Sequence, residues 1–439
     1  MQRSGDVPEN RMSRQSKLGF NATWSMAVGG MVGGGIFSTL GVVVVIAGAW
    51  AWLSFVAAGL VALAAGYSYV KLATHYGEGG GAFIFLREIN RWGFAGSLSW
   101  VLIVGYVLTN AVYALTFGEY LGNVIGAGQW FPRVAAAAIL AFFMGLNLRG
   151  VSEAGGVEVV LVWLKLAVLV GLAGWGLAQW DPAMLSRGVP GAGIGAAVFG
   201  GASVFMAYEG FQLVTYDFDD IENPQKTLPR AVLSAIVVVI AVYVVVALGV
   251  TMLIGADQVV AHQEVALAVA GREAFGIGGL IVVSIGAAFS TGSAINATLF
   301  ATARLTYEVA KDGELPAALH HRNRAGLPDR AVIGLGGLAV GCAMLGGLAT
   351  LVEAASLTFL FTFAIVGGLA FRARAGSRVL TGFGAISAAA ALIALVVRLI
   401  QTDPVALAFL GLLVLIAVFG RPVLLRHTRT ETQPGSTDS

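Results

Sequence analysis

Lys165 and Glu209 are the two residues of this sequence hardest to read as packing, because each lies inside an apolar run, LVWLKLAVL and FMAYEGF. At membrane depth an ionised side chain costs about 3 kcal/mol or more unless it is paired or wetted. Glu209 has the chemistry to bind an amine, to carry a proton, or to pair with another group of the protein. Lys165 follows the start of its run at Gly156 by about nine residues, or about 13 Å at the helical rise, farther than a lysine stem reaches. Burial disfavours the charged ammonium, so gain and loss of a proton lie within its chemistry. The plain alternative is a partly snorkelled lysine near the inner boundary.

Backbone supplies the other candidate chemistry. Met26 to Gly41, MAVGGMVGGGIFSTLG, holds six glycines, although glycine in a helix interior is unfavourable by about 1 kcal/mol relative to alanine. Gly200, Gly201 and Gly210 bracket a second interruption, ASVFMAYE. Bare backbone at membrane depth survives only where protein or a cavity satisfies it, and two broken helices in corresponding positions point to inverted repeats with a midplane site. Close helix packing accounts for the same glycines one segment at a time. Tyr106, Asn110, Tyr113 and Phe117 recur at spacings of four, three and four, which sets them on one helical face. With Phe205, Tyr208 and Phe211 they form either a pocket wall or a helix seam.

Helices must position these residues. Of the 439 residues, 57% are hydrophobic and 11% charged, and mean hydropathy is +0.83, the composition of a polytopic membrane protein. Twelve apolar spans can be drawn, near 21–47, 50–71, 93–125, 132–148, 157–178, 194–217, 230–253, 274–307, 331–349, 353–371, 379–400 and 405–425. With the N-terminus inside, 21 of the 26 basic residues fall on the cytoplasmic side, against Arg133, Arg187, Arg272 and Arg398 outside. An even number of spans then places both termini in the cytoplasm. Residues 1–17 and 427–439 read as polar tails on a membrane domain of 18–426. No cleavable signal is expected, because the first apolar segment is too long for one.

Several function classes are excluded. The lone Cys342 permits no internal disulfide. Histidines at 75, 262, 320, 321 and 427 have no zinc spacing, no GxxxxGK[ST] is present for ATP-driven transport, and no nucleophile–base pair indicates an enzyme. No metal or cofactor is expected, and a net charge of +2 implies no nucleic-acid partner. Asp217, Asp219, Asp220 and Glu222 stand beside Asn-Pro and Leu-Pro turns and read as a cytoplasmic gate cluster that pairs with basic residues.

The motifs carry a family resemblance. Gly33-Gly34-Gly35-Ile36-Phe37 looks like the GxGIF element of the first helix of amino acid–polyamine–organocation transporters. FMAYEGFQLVTYDFDDIENPQKTLPR, from Phe205 to Arg230, resembles that family's sixth helix and following loop; YGEGGGAFIFLR, from Tyr76, is similar to its loop between helices two and three; ATARLTYEVAKDGEL, from Ala301, resembles the end of its eighth helix. The resemblance implies an all-α membrane protein of the leucine-transporter type, with twelve helices. Five-plus-five inverted repeats would cover 18–180 and 190–375, and helices at 379–425 would be peripheral. It implies a substrate carboxylate at the free N–H groups of Gly33, Gly34 and Gly35, flanked by Met31, Val32 and Ile36, with unwound carbonyls near 27–31 and 205–208 for the amine. Tyr106, Asn110, Phe205, Tyr208 and Glu209 would complete the site. In some members a lysine at the matching place in helix five takes the position of a sodium ion, so Lys165 would bridge helices one, five and eight and exchange a proton. Ser290, Thr291 and Ser293 leave a sodium site as the weaker alternative, since Lys165 would repel the cation. The expected function is secondary transport of an amino acid or related amine across the cell membrane, proton-coupled, with an amino acid or polyamine exchanger and a nutrient sensor as alternatives.

Overall fold

The computed structural model describes residues 17–79, 81–88, 92–150, 155–404, 407–408 and 411. All but one residue of the expected N-terminal tail, the C-terminal tail and most of the twelfth span lie outside them. Among the described residues the chain is helical, with no strand beyond an isolated bridge between Leu18 and Ile221.

Helices α1 (Phe20–Val32) and α2 (Gly35–Ala47) form the first, interrupted span, and a 3-10 turn at Gly48–Trp50 leads into α3 (Ala51–Tyr76). Short α4 (Gly81–Glu88) precedes α5 (Trp92–Ile125), α6 (Phe131–Leu148) and α7 (Gly155–Ala178). The sixth segment is α8 (Ala196–Ser203) followed by 3-10 turns, Phe205–Tyr208 and Phe211–Asp220. Then come α9 (Pro224–Ile254), short α10 (Ala256–Ala261), α11 (Ala266–Lys311), α12 (Asp329–Leu345), α13 (Leu348–Ala373) and α14 (Arg378–Thr402). Non-helical backbone at Phe275 and Gly276 kinks α11 where the eighth span was expected to begin.

Eight of these stretches are long and apolar enough to cross a membrane, or nine if α8 and the bent turns after it, at 58° to one another, count as one span. That is fewer than the twelve spans drawn from hydropathy, for identifiable reasons. A tight 3-10 turn rather than a loop joins the first two, so Phe20–Tyr76 runs as one stretch of 57 residues. The ninth stops at 17 residues because Gly346 is extended, and the Arg133 guanidinium donates to the carbonyls of Ala343 (3.1 Å), Met344 (2.6 Å) and Gly346 (3.1 Å) at that end.

The core is α1, the sixth segment, α5 and α9, whose facing residues are buried. Around it α3 packs on α9, α11 on α5, and α13 on α14. Helix α14, expected to be peripheral, is tied inward. Arg398 meets Glu353 of α13 at 3.1 Å, and its Nε donates to the Ser203 hydroxyl at 3.2 Å, at the end of α8. Arg187 pairs with Asp257 at 2.8 Å and holds that exposed carboxyl below the usual carboxylate range.

The Arg398–Glu353 contact yields the first prediction. Removing one partner of a buried pair strands the other charge, at a cost on the order of 3 kcal/mol. Arg398→Met should therefore lower the apparent melting temperature in detergent, and Arg398→Met with Glu353→Met should recover most of it. A loss in the double variant equal to the sum of the two single losses would show that the charges are not coupled.

Candidate functional site

The two interrupted segments meet backbone to backbone. Gly30 of α1 faces Gly210, where a methyl group added to Gly30 would lie 3.0 Å from the Gly210 Cα. Gly210 has φ +119°, which side chains of L-residues rarely adopt. The first interruption is the turn Gly33–Gly34, and the orphan first-turn donors of α2 include those of Gly35, Ile36 and Phe37. In the second, Val204 leaves the helix and Glu209 is extended at φ −67°, ψ 151°.

Neighbouring helices satisfy the carbonyls these breaks release. The Tyr243 hydroxyl of α9 lies 2.7 Å from the Met31 carbonyl and 2.9 Å from that of Ala207, so one phenol serves both breaks. Ser290 of α11 donates to the Val32 carbonyl at 2.7 Å, and the Lys165 ammonium of α7 lies 3.4 Å from the Gly29 carbonyl. Ser356 of α13 donates to the Ser203 carbonyl at 2.8 Å and accepts the Met206 N–H at 3.0 Å.

Beside this junction lies a buried polar network. Glu209 accepts from the Tyr113 hydroxyl at 3.3 Å and from the Gln212 amide at 3.1 Å. The same amide nitrogen faces the Tyr106 hydroxyl at 3.3 Å, while the amide oxygen of Gln212 accepts the Gly210 N–H at 3.0 Å. Tyr106 and Tyr216 join hydroxyl to hydroxyl at 3.0 Å. The Tyr113 ring covers Gly34. Tyr216 also lines a cavity of about 720 Å³ that reaches Gly29, Gly30 and Gly210 at its deep end. Toward its mouth Arg304 pairs with Asp217 at 3.3 Å, and Arg87 with Glu78 at 3.3 Å and Asp312 at 3.5 Å. Asp217 thus takes the pairing expected of the acidic run. Among the described residues no group of three or more metal-ligating side chains forms.

The candidates divide. Met31, Val32, Gly33, Gly34, Gly35, Ile36, Tyr106, Asn110 and Glu209 gather around the junction and are buried, as is Lys165 on the α7 side of α1. Phe205 points elsewhere, its ring packed on Phe363 of α13 with centroids 5.6 Å apart. Tyr208 reaches α3 with its hydroxyl, which donates to the Phe55 carbonyl at 2.7 Å, while its ring lies 5.1 Å from that of Tyr243. None of these candidates lines the cavity. Thr291 donates within its own helix, to Ala287 at 2.8 Å. Tyr243, Gln212 and Tyr216 were not anticipated. The available signal for Tyr243 was a single phenol inside α9, whose most apolar window has a mean hydropathy of 3.1.

Tyr243→Phe keeps the ring and removes the hydroxyl, taking away the one proton within reach of the Met31 and Ala207 carbonyls, at a cost of about 1–3 kcal/mol. The variant should insert and fold, unfold at lower temperature, and show weaker stabilisation by ligand than the parent. Thermal unfolding with and without substrate measures both effects, and parental values for both would remove the phenol from the junction.

Comparison with known proteins agrees with this architecture. A family model described as amino acid permease matches residues 18–429. An uncharacterised protein of Methanocaldococcus jannaschii is 35% identical over 306 residues, 69% of this chain and 70% of that one. The inner membrane transport protein YbaT of Escherichia coli is 31% identical over 364 residues, 81% and 84% of the two chains. A serine/threonine exchanger of Bacillus subtilis is 24% identical over 314 residues, 69% and 70%. These are transporters or proteins of unassigned role, and the chain, a multi-span membrane protein, belongs to the amino acid permease family.

Proposed function

We propose that this protein is a secondary transporter of amino acids that works by alternating access, with proton coupling through Lys165. The observation that carries the reading is the contact of the two interrupted segments, Gly30 on Gly210, at the head of a cavity lined by Arg87, Arg304 and Arg322 together with carboxylates. Basic loops favour the cytoplasmic side, so the cavity faces inward, and both termini lie in the cytoplasm of a cell-membrane protein. Twelve helices in five-plus-five repeats, over 18–180 and 190–375, remain part of this proposal, with 1–17 and 427–439 as tails.

The substrate carboxylate meets the backbone around Gly33 to Ile36, where orphan donors and the helix dipole favour an anion. Its amine meets carbonyls near Met31 and Val32 and, through the polar network, the carboxylate of Glu209. Tyr106 and Asn110 complete the wall on α5. Phe205 and Tyr208 contribute through backbone, given where their side chains point. Lys165, held at the Gly29 carbonyl, links the α7 scaffold to moving α1. Proton loss would weaken that link, which gives the coupling step a physical lever. The name of the Bacillus subtilis relative, a serine/threonine exchanger, supports exchange as the second reading.

Labelled uptake into proteoliposomes tests this. The parent protein should accumulate an amino acid in response to an imposed pH gradient and without sodium, and Lys165→Gln should lose accumulation while counterflow persists. Full pH-driven accumulation by Lys165→Gln would exclude the lysine as the coupling group, and binding without flux in the parent would make the protein a sensor.

A further inference from the structure

We propose that Asn147 and Asn296 form a second, weaker station for the zwitterionic head of the substrate, inside the cavity between the junction and the mouth. The Asn296 amide donates to the carboxylate, and the Asn147 amide oxygen accepts from the ammonium. The inference rests on the amino acid transport reading and adds a site on the path to it. Asn147, near the end of α6, and Asn296, in α11, both line the cavity of about 720 Å³, and they are 3% and 7% exposed. The Asn147 Nδ2 donates to the Phe143 carbonyl at 2.9 Å and to the Asn296 Oδ1 at 2.8 Å. These bonds use both of its protons and fix both amides, because turning either one over would set like atoms together. Two groups are left over, the Asn147 Oδ1 as an acceptor and the Asn296 Nδ2 as a donor, and neither has a hydrogen-bond partner among the described residues.

A bond between amides on facing helices is common glue in membranes, and it accounts for one group of each side chain. It leaves a donor and an acceptor on neighbouring residues, the two polarities that a carboxylate and an ammonium on one carbon require. Asn147 is the first polar side chain after Arg133 in α6, at the end of an otherwise apolar run. Its partner stands between two fixed levels of α11. Asn296 follows Ser290, which holds the Val32 carbonyl at the junction, by six residues and precedes Arg304 by eight, so it lies about 9 Å from the one level and about 12 Å from the other along the helix. An amino acid moving from the junction to the mouth passes this level. Arg87 and Arg304 of the same cavity are already engaged by carboxylates. Uncharged amides can bond both ends of the zwitterion without an ion pair, a hold that a moving substrate can release.

Asn296→Asp separates the station from the glue. It keeps an oxygen for the Asn147 amide and turns the free donor into a second acceptor. The probe is the amino acid that most stabilises the parent against heat in a panel of the common ones. Labelled counterflow of that amino acid in inside-out and right-side-out vesicles, with the opposite side saturated, reads the two faces apart, and a pH above neutral keeps the new carboxyl ionised. KM at the cavity face should rise about tenfold, the factor that corresponds to about 1.4 kcal/mol, while KM at the other face stays parental. Should the aspartate variant not fold, Asn296→Ala removes the donor without adding charge and carries the same expectation. Parental KM at both faces, an equal rise at both, or a lower maximal rate with KM unmoved overturns the proposal, and loss of the fold in both variants assigns the pair to structure and overturns it as well. A parent stabilised by no amino acid, or without counterflow, overturns the transport reading instead.

Discussion

Backbone polarity at membrane depth is the constraint on which the rest of this structure depends. A continuous helix satisfies its own N–H and C=O groups, and an interrupted one releases some of them where no water is guaranteed. Both interruptions here release carbonyls, and α7, α9, α11 and α13 each send one polar side chain to a backbone group at or beside them: Lys165, Tyr243, Ser290 and Ser356. These four polar side chains on otherwise apolar helices thus answer backbone groups released elsewhere in the chain. Tyr243 is the most economical of them, since a single hydroxyl lies within reach of carbonyls from both segments.

Charge is distributed by a different rule. Apart from the buried Arg398–Glu353 contact, the charges that pair with one another among the described residues are partly exposed, where water screens them and each pair contributes little on its own. Arg87, Arg304 and their acidic partners are partly exposed around the cavity mouth. Inside, hydrogen bonds hold Glu209 and a carbonyl meets Lys165. Contacts at the centre are thereby kept small, while the pairs near the mouth can exchange with solvent.

The sequence made the interruptions legible because their cause is local. Glycine clusters at 29–35 and at 200–210 announce missing side chains, and the structure breaks at Gly33–Gly34 and at Val204. Lys165 was legible for a similar reason, as an ionisable residue alone in an apolar run. Side-chain direction beyond a break was not. Helical periodicity predicts which residues share a face only while φ and ψ stay helical, and extended Glu209 with Gly210 at φ +119° resets that phase. Phe205 and Tyr208 accordingly turn toward α13 and α3, whereas the α5 stripe, on an unbroken helix, brings Tyr106 and Tyr113 to the network as its spacing implies. Tyr243 escaped notice because its partners are backbone atoms more than thirty residues away in sequence, a relation that no local pattern encodes.

The meeting of Gly30 and Gly210 also bears on how this chain can vary. Each position leaves no volume for even a methyl group because the other's main chain occupies it, so neither can accept a larger residue first and wait for the other to adjust. Two sites far apart in the gene therefore behave as a single inherited unit. Diversification of substrate preference is pushed outward to the walls, where one side chain can change without moving the backbone that both segments share.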